Sequence, residues 1–75
     1  MTSGPVALTL DCTGQRCPRP IIEIARRIAS VEVGQLVELL ADDPAAEPDV
    51  AAWCRMRGHE LVESEPPRFT VRRTR

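Results

Sequence analysis

Apolar and polar positions alternate along this chain in two distinct periods. Residues 6–10 form a short apolar run with β-branched members, set between Gly4-Pro5 and Asp11, and predict a first strand. Residues 36–41, apolar except for Glu38, predict a second strand that stops at Asp42-Asp43-Pro44. Residues 60–65 and 68–72 alternate polar with apolar side chains on either side of Pro66-Pro67, which predicts a closing hairpin.

Between the first two strands the period changes. At 100° per residue, Ile21, Ile22, Ile24, Ala25, Ile28 and Ala29 fill one arc of roughly 160°, with Glu23, Arg26, Arg27 and Ser30 opposite. This stretch predicts a helix with Pro18 at its first position and Pro20 still inside the first turn, where neither proline removes a needed N–H. A second helix is expected to open around Pro48 and run to about Met56, with Val50, Trp53, Cys54 and Arg57 on one side and Gly58 as its stop. The order is βαβαββ. Its economical packing is an α/β (α+β) two-layer sandwich, with both helices on one face of a four-stranded mixed sheet. The other face is then open to a partner or a second copy, and a monomer or weak dimer is expected.

Seventy-five residues suffice for one domain, 1–75, with a single core, residues 1–5 being expected to be disordered. Such a chain has little room for an enclosed cavity, so its chemistry belongs at the surface. Ten basic residues, all arginine, against eleven acidic ones leave no basic excess for direct nucleic-acid binding. Arg68, Arg72, Arg73 and Arg75 read as a solvated strand end rather than an RNA patch. No run is long enough to span a membrane, and Met1–Pro5 has neither a basic start nor an apolar stretch, so the expectation is a cytoplasmic protein.

Three cysteines in a reducing compartment argue against a disulfide framework. Cys17, in Cys17-Pro18-Arg19-Pro20, is expected at a helix mouth beside unpaired N–H groups, with Arg16 and Arg19 close by; that setting favours the thiolate. Local chemistry alone leaves it between a nucleophile and a packed helix-start residue. Cys12, across the Gly14 loop, is read as a small strand-end residue, the alternative being a resolving thiol. Cys54 beside Trp53 is read as packed and inert. Cys12, Cys17, Cys54 and His59 lack the spacing of a zinc knuckle, so no metal is expected. His59 is read as packing near Gly58, Asp43 as a turn residue, and Asp42 as facing outward.

Leu10-Asp11, Gly14, Cys17-Pro18-x-Pro20, Gly34, Ala41-Asp42-Asp43-Pro44, Trp53-Cys54 and Gly58-His59-Glu60-Leu61 together closely resemble the TusA/SirA-like sulfur-carrier family, over about residues 8–72. The resemblance implies the same βαβαββ sandwich. It also implies that Cys17 accepts sulfane sulfur as a covalent persulfide, with no other cofactor, from a donor such as a cysteine desulfurase or rhodanese-type protein. An acceptor protein then takes it, for tRNA thiolation or another sulfur pathway. Pro18, Arg19, Pro20 and Gly14 would support the helix entry and the persulfide anion, and Gln15, Arg16, Arg26, Arg27, Asp42 and His59 would meet partners. The chain departs from the family pattern at Gln15, at Arg26-Arg27 and at Val50-Ala51. Two readings of another class stand beside this one: a thiol redox switch using Cys12 and Cys17, and an interaction module with inert cysteines.

Overall fold

The structure, a computed structural model, describes residues 5–75. Strand β1 (Val6–Asp11) leads to helix α1 (Arg19–Arg27) and a 3-10 turn over Ile28–Ser30; β2 (Leu36–Leu40), α2 (Ala46–Arg57), β3 (Glu60–Glu65) and β4 (Arg68–Arg72) follow. The sheet order is β1-β2-β4-β3, with β1 parallel to β2 and both remaining pairs antiparallel. Both helices cover one face, the two-layer α+β arrangement expected from the sequence. The expected disorder of residues 1–5 falls outside the described residues, apart from Pro5.

Strand alternation decides which side chains enter the core. Leu10 stands opposite Leu39, Leu39 opposite Phe69, and Val37 opposite Val71. These five are buried with Ile24, Ile28, Val50 and Trp53 from the helical layer. The intervening positions face the other way and set Leu36, Leu40 and Thr70 among the charged Glu38, Arg68 and Arg72. Arg68 lies 3.8 Å from Glu38 and 3.0 Å from Glu65, Arg72 lies 3.1 Å from Glu60, and the Thr9 hydroxyl donates to Glu38. The open sheet face therefore carries ion pairs over Leu36, Leu40 and Thr70, and Arg68 and Arg72 of the basic tail take part in them.

Helix α1 starts later than its prolines suggested. Pro18 is the N-cap rather than the first helical residue, its carbonyl accepting the Ile22 N–H at 2.9 Å, and Pro20 lies in the first turn. The buried stripe is Pro20, Ile24 and Ile28, with Ile21 half-buried, while Ile22, Ala25 and Ala29 are exposed. The arc is narrower than the helical wheel implied because a short helix lying on a sheet covers only its contact line and one flank.

Helix α2 buries Ala46, Val50, Trp53 and Cys54. Arg57, expected on that side, is exposed in the last turn, where a cation complements the helix dipole. Gly58 caps the helix with φ +78°, and the His59 N–H donates to the Cys54 carbonyl at 2.9 Å. The turn between β3 and β4 contains a cis Pro66–Pro67 bond, and the Pro67 carbonyl accepts the Ala41 N–H at 2.8 Å. That contact ties the end of the hairpin to the exit of β2.

Candidate functional site

The loop between β1 and α1 is shaped by carboxylates from both of its flanks. Asp11 at the end of β1 accepts the backbone N–H and the hydroxyl of Thr13 through the same oxygen. Gly14 adopts φ +82°, a conformation glycine takes without a steric penalty, and its N–H donates to the Asp42 carboxylate at 3.0 Å. Asp43 bridges two elements. One oxygen accepts the Ala45 N–H at 2.8 Å, closing an Asx turn before α2; the other accepts the Cys17 N–H at 3.3 Å. Asp42 is exposed as expected, but its carboxylate also holds the loop, a role the sequence reading did not give it.

Cys17 follows this anchored turn and precedes a cis bond to Pro18. All three cysteines are free thiols; Cys12 and Cys54 are buried, and Cys17 is half-buried. Cys12, at 2% exposure, packs in the core, where burial and the charges of Glu23 and Asp11 push its thiol up. Burial alone pushes Cys54 up to about 11.

The electrostatic setting of Cys17 corrects the sequence expectation. Its thiol is shifted above the ordinary range, first by partial burial, then by the charge of Asp49 and a hydrogen bond to it, and then by Asp43. Two carboxylates oppose a second negative charge, so the resting site favours the thiol over the thiolate. The helix begins only at Arg19, and the Cys17 amide is already taken by Asp43. Arg16 and Arg19 are exposed.

Asp49 is the residue that sequence reasoning missed. It lies in the first turn of α2 and lines, with Pro18, Ile21, Ala52, Trp53 and Met56, a hollow of about 260 Å³ beside Cys17. Met56 is 80% exposed there. The available signal was an acidic residue in a helix first turn, which ordinarily reads as a partner for the dipole.

The remaining candidates separate. Gln15 and Arg27 border a different hollow, beside β1, and Arg27 pairs with Glu23 at 3.5 Å. Arg26 and Arg27 end α1, about 12 Å along the axis from its start, so they do not surround the thiol. His59 lies beyond the far end of α2. Its Nδ1 accepts the Thr74 N–H at 3.2 Å and its ring sits 5.3 Å from that of Trp53. Burial and the charges of Arg73, Arg75 and Arg57 lower its pKa, holding it neutral. It packs near Gly58, as expected, and is remote from Cys17. Among the described residues, no group of three or more His, Cys, Asp or Glu side chains is placed to hold a metal ion, so Cys12, Cys17, Cys54 and His59 do not converge.

The fold and its loop define a small α+β protein that presents one reachable thiol at the junction of its two helices. Residues 8–73 match the family model described as sulfurtransferase TusA, and the chain belongs to that family of sulfur-transfer proteins. Two proteins of Archaeoglobus fulgidus, each named "Putative sulfur carrier protein", are 45% and 39% identical to it over 56 residues. The matches cover 75% of this chain in both cases and 73% and 77% of the relatives. The crystal structure of a SirA-like protein from Desulfitobacterium hafniense superposes with a TM-score of 0.64 at 27% identity, covering 85% of this chain and 90% of that one. No helix among the described residues is long and apolar enough to cross a membrane.

Proposed function

We propose that this chain, as one carrier domain in the cytoplasm, takes up sulfane sulfur on Cys17 and relays it as a persulfide between two proteins. The observation that carries the reading is the contrast among its thiols: Cys17 is the one cysteine not buried, in a chain of the sulfurtransferase TusA family. The donor is a cysteine desulfurase or a rhodanese-type protein. The acceptor serves tRNA thiolation or another sulfur pathway.

The transfer is an exchange at sulfur. Cys17 loses its proton, and its Sγ attacks the outer sulfur of the donor persulfide, R–S–S–H. The new Sγ–S bond forms as the donor S–S bond breaks, the donor thiolate leaves and takes up a proton, and the sulfur stays at the sulfane level throughout. No cofactor beyond the covalent persulfide is needed. Asp43 positions the backbone at Cys17, and Pro18 and Pro20 stiffen the helix entry. Arg19, exposed at the first position of α1 and two residues from Cys17, is the cation this reading assigns to the persulfide anion.

Incubation with a cysteine desulfurase and radiolabelled cysteine tests the proposal. Label that stays with the chain, maps to the Cys17 peptide and leaves on reduction supports it; label confined to the Cys12 or Cys54 peptide contradicts it. The redox-switch reading is disfavoured by Cys12, which is 2% exposed and pushed toward the neutral thiol.

A further inference from the structure

The hollow beside Cys17 continues along the molecule. Trp53 lines it and also lines a second hollow of about 290 Å³, bounded by Ala25 and Ile28 of the helical layer and by Arg57, His59 and Arg75. Ile21, Ala25 and Ile28 follow one stripe along α1 and its terminal turn. Asp49, Ala52, Trp53 and Met56 follow one stripe along α2. The two hollows meet at Trp53, and together they outline a groove between these stripes of the two helices. Its middle is formed by Trp53, which is 7% exposed, with Met56 exposed at the rim.

The ends of this groove carry opposite charge. At the Cys17 end stand Asp49 and, behind the Cys17 amide, Asp43. At the other end Arg57 and Arg75 are exposed at the mouth beside His59, with Arg75 laid over Gly58. Arg73, also near His59, is engaged with the Val31 carbonyl at 2.6 Å.

We propose that this groove is the docking track for an extended segment of a sulfur-transfer partner, whose reactive cysteine is flanked by a basic residue and followed by an apolar and then an acidic one. The inference rests on the reading of Cys17 as the sulfur carrier. The basic residue meets Asp49, the apolar side chain lies on Trp53 and Met56, and the acidic residue reaches Arg57 and Arg75. From Asp49 to Arg57 the helix rises about 12 Å, which an extended chain spans in about four residues. The polarity of the groove thus fixes the direction in which the partner segment runs. Seating a cation on Asp49 also removes the opposition to negative charge at Cys17, so the thiol is activated where a partner is bound.

Two synthetic peptides test this on the native chain. One has the order Lys-Cys-Leu-Ala-Glu and the other exchanges the charged ends. Each is supplied as its mixed disulfide with 2-mercaptoethanol, so that exchange at Cys17 forms the protein–peptide disulfide and releases 2-mercaptoethanol. At equilibrium in a thiol buffer, the first peptide is expected to be captured about fivefold better than the second. The preference is expected to invert in a chain carrying Asp49→Lys with Arg57→Glu and Arg75→Glu. Equal capture on the native chain, an undiminished preference in a reversed variant with a native circular dichroism spectrum, or occlusion of the groove by a second copy in sedimentation experiments would overturn the proposal. The exchange needs no sulfane sulfur. A failure here leaves persulfide loading of Cys17 intact, and a failure of loading leaves the peptide preference measurable.

Discussion

The Asp43 carboxylate joins the reactive loop to the second helix: one oxygen accepts the Cys17 N–H at 3.3 Å while the other accepts the Ala45 N–H at 2.8 Å. Removing it frees two backbone donors at once and takes a negative charge from beside the sulfur. Asp43→Ala is expected to lower stability by about 1–2 kcal/mol in urea denaturation. It should also speed alkylation of Cys17 at neutral pH. Unchanged stability together with unchanged alkylation would show that the bridge does neither job.

The carboxylate of Asp49 supplies a direct test of the electrostatics. Alkylation follows the thiolate, and the Cys17 thiol is held above the ordinary range by burial, Asp49 and Asp43. In the native chain the alkylation rate at neutral pH is therefore expected to be below that of an ordinary exposed thiol, and to keep rising through the alkaline range. Asp49→Asn keeps a hydrogen-bonding side chain without the charge, and is expected to move the whole pH profile to lower pH. A profile that stays in place would remove Asp49 from the account.

Burial of Cys54 predicts an alkaline loss of stability. Its thiol is pushed from 9.0 to about 11, so between those values the unfolded chain releases this proton while the folded chain keeps it. Stability from this group is complete below pH 9 and is lost as pH rises toward 11, on the order of 2 kcal/mol in all. The raised thiols of Cys12 and Cys17 add the same sign. Denaturation followed over this range should give a shallower decline for Cys54→Ala than for the native chain.

Two isoleucines on α1 separate the core stripe from the exposed flank. Ile24 is fully buried and Ile22 is 48% exposed. Ile24→Ala is expected to cost about 2–5 kcal/mol, and Ile22→Ala about 0.5 kcal/mol or less. Equal losses in chemical denaturation would mean that α1 is rotated from the orientation described.

Those two residues also mark where the sequence stops being readable. Ile21, Ile22, Ile24, Ala25, Ile28 and Ala29 share a helical arc, so the helix and its general direction follow from periodicity. Which part of the arc is covered depends on the sheet beneath it and on α2 at one side. The strands were legible because alternation and the Pro66-Pro67 turn are local signals, and Gly58 was legible because a left-handed stop has a residue preference of its own. Cys17 is marked by its local motif, but the helix mouth points to a lowered thiol pKa where burial and two carboxylates push it up. The carboxylates that set it, Asp43 and Asp49, come from the far side of β2 and from α2, and only folding brings them to the sulfur. The same holds for the groove between the helices, where Asp49 of α2 meets Cys17 from the first loop and Arg57 of α2 meets Arg75 from beyond β4.

The sulfur-carrier reading is tested most directly by the intact mass of the native chain, Cys17→Ser and Cys12→Ser after incubation with a cysteine desulfurase and cysteine. The account predicts a species one sulfur atom heavier in the native chain and in Cys12→Ser, reversed by a reducing agent, and none in Cys17→Ser. A sulfur adduct that persists in Cys17→Ser and disappears in Cys12→Ser would contradict it.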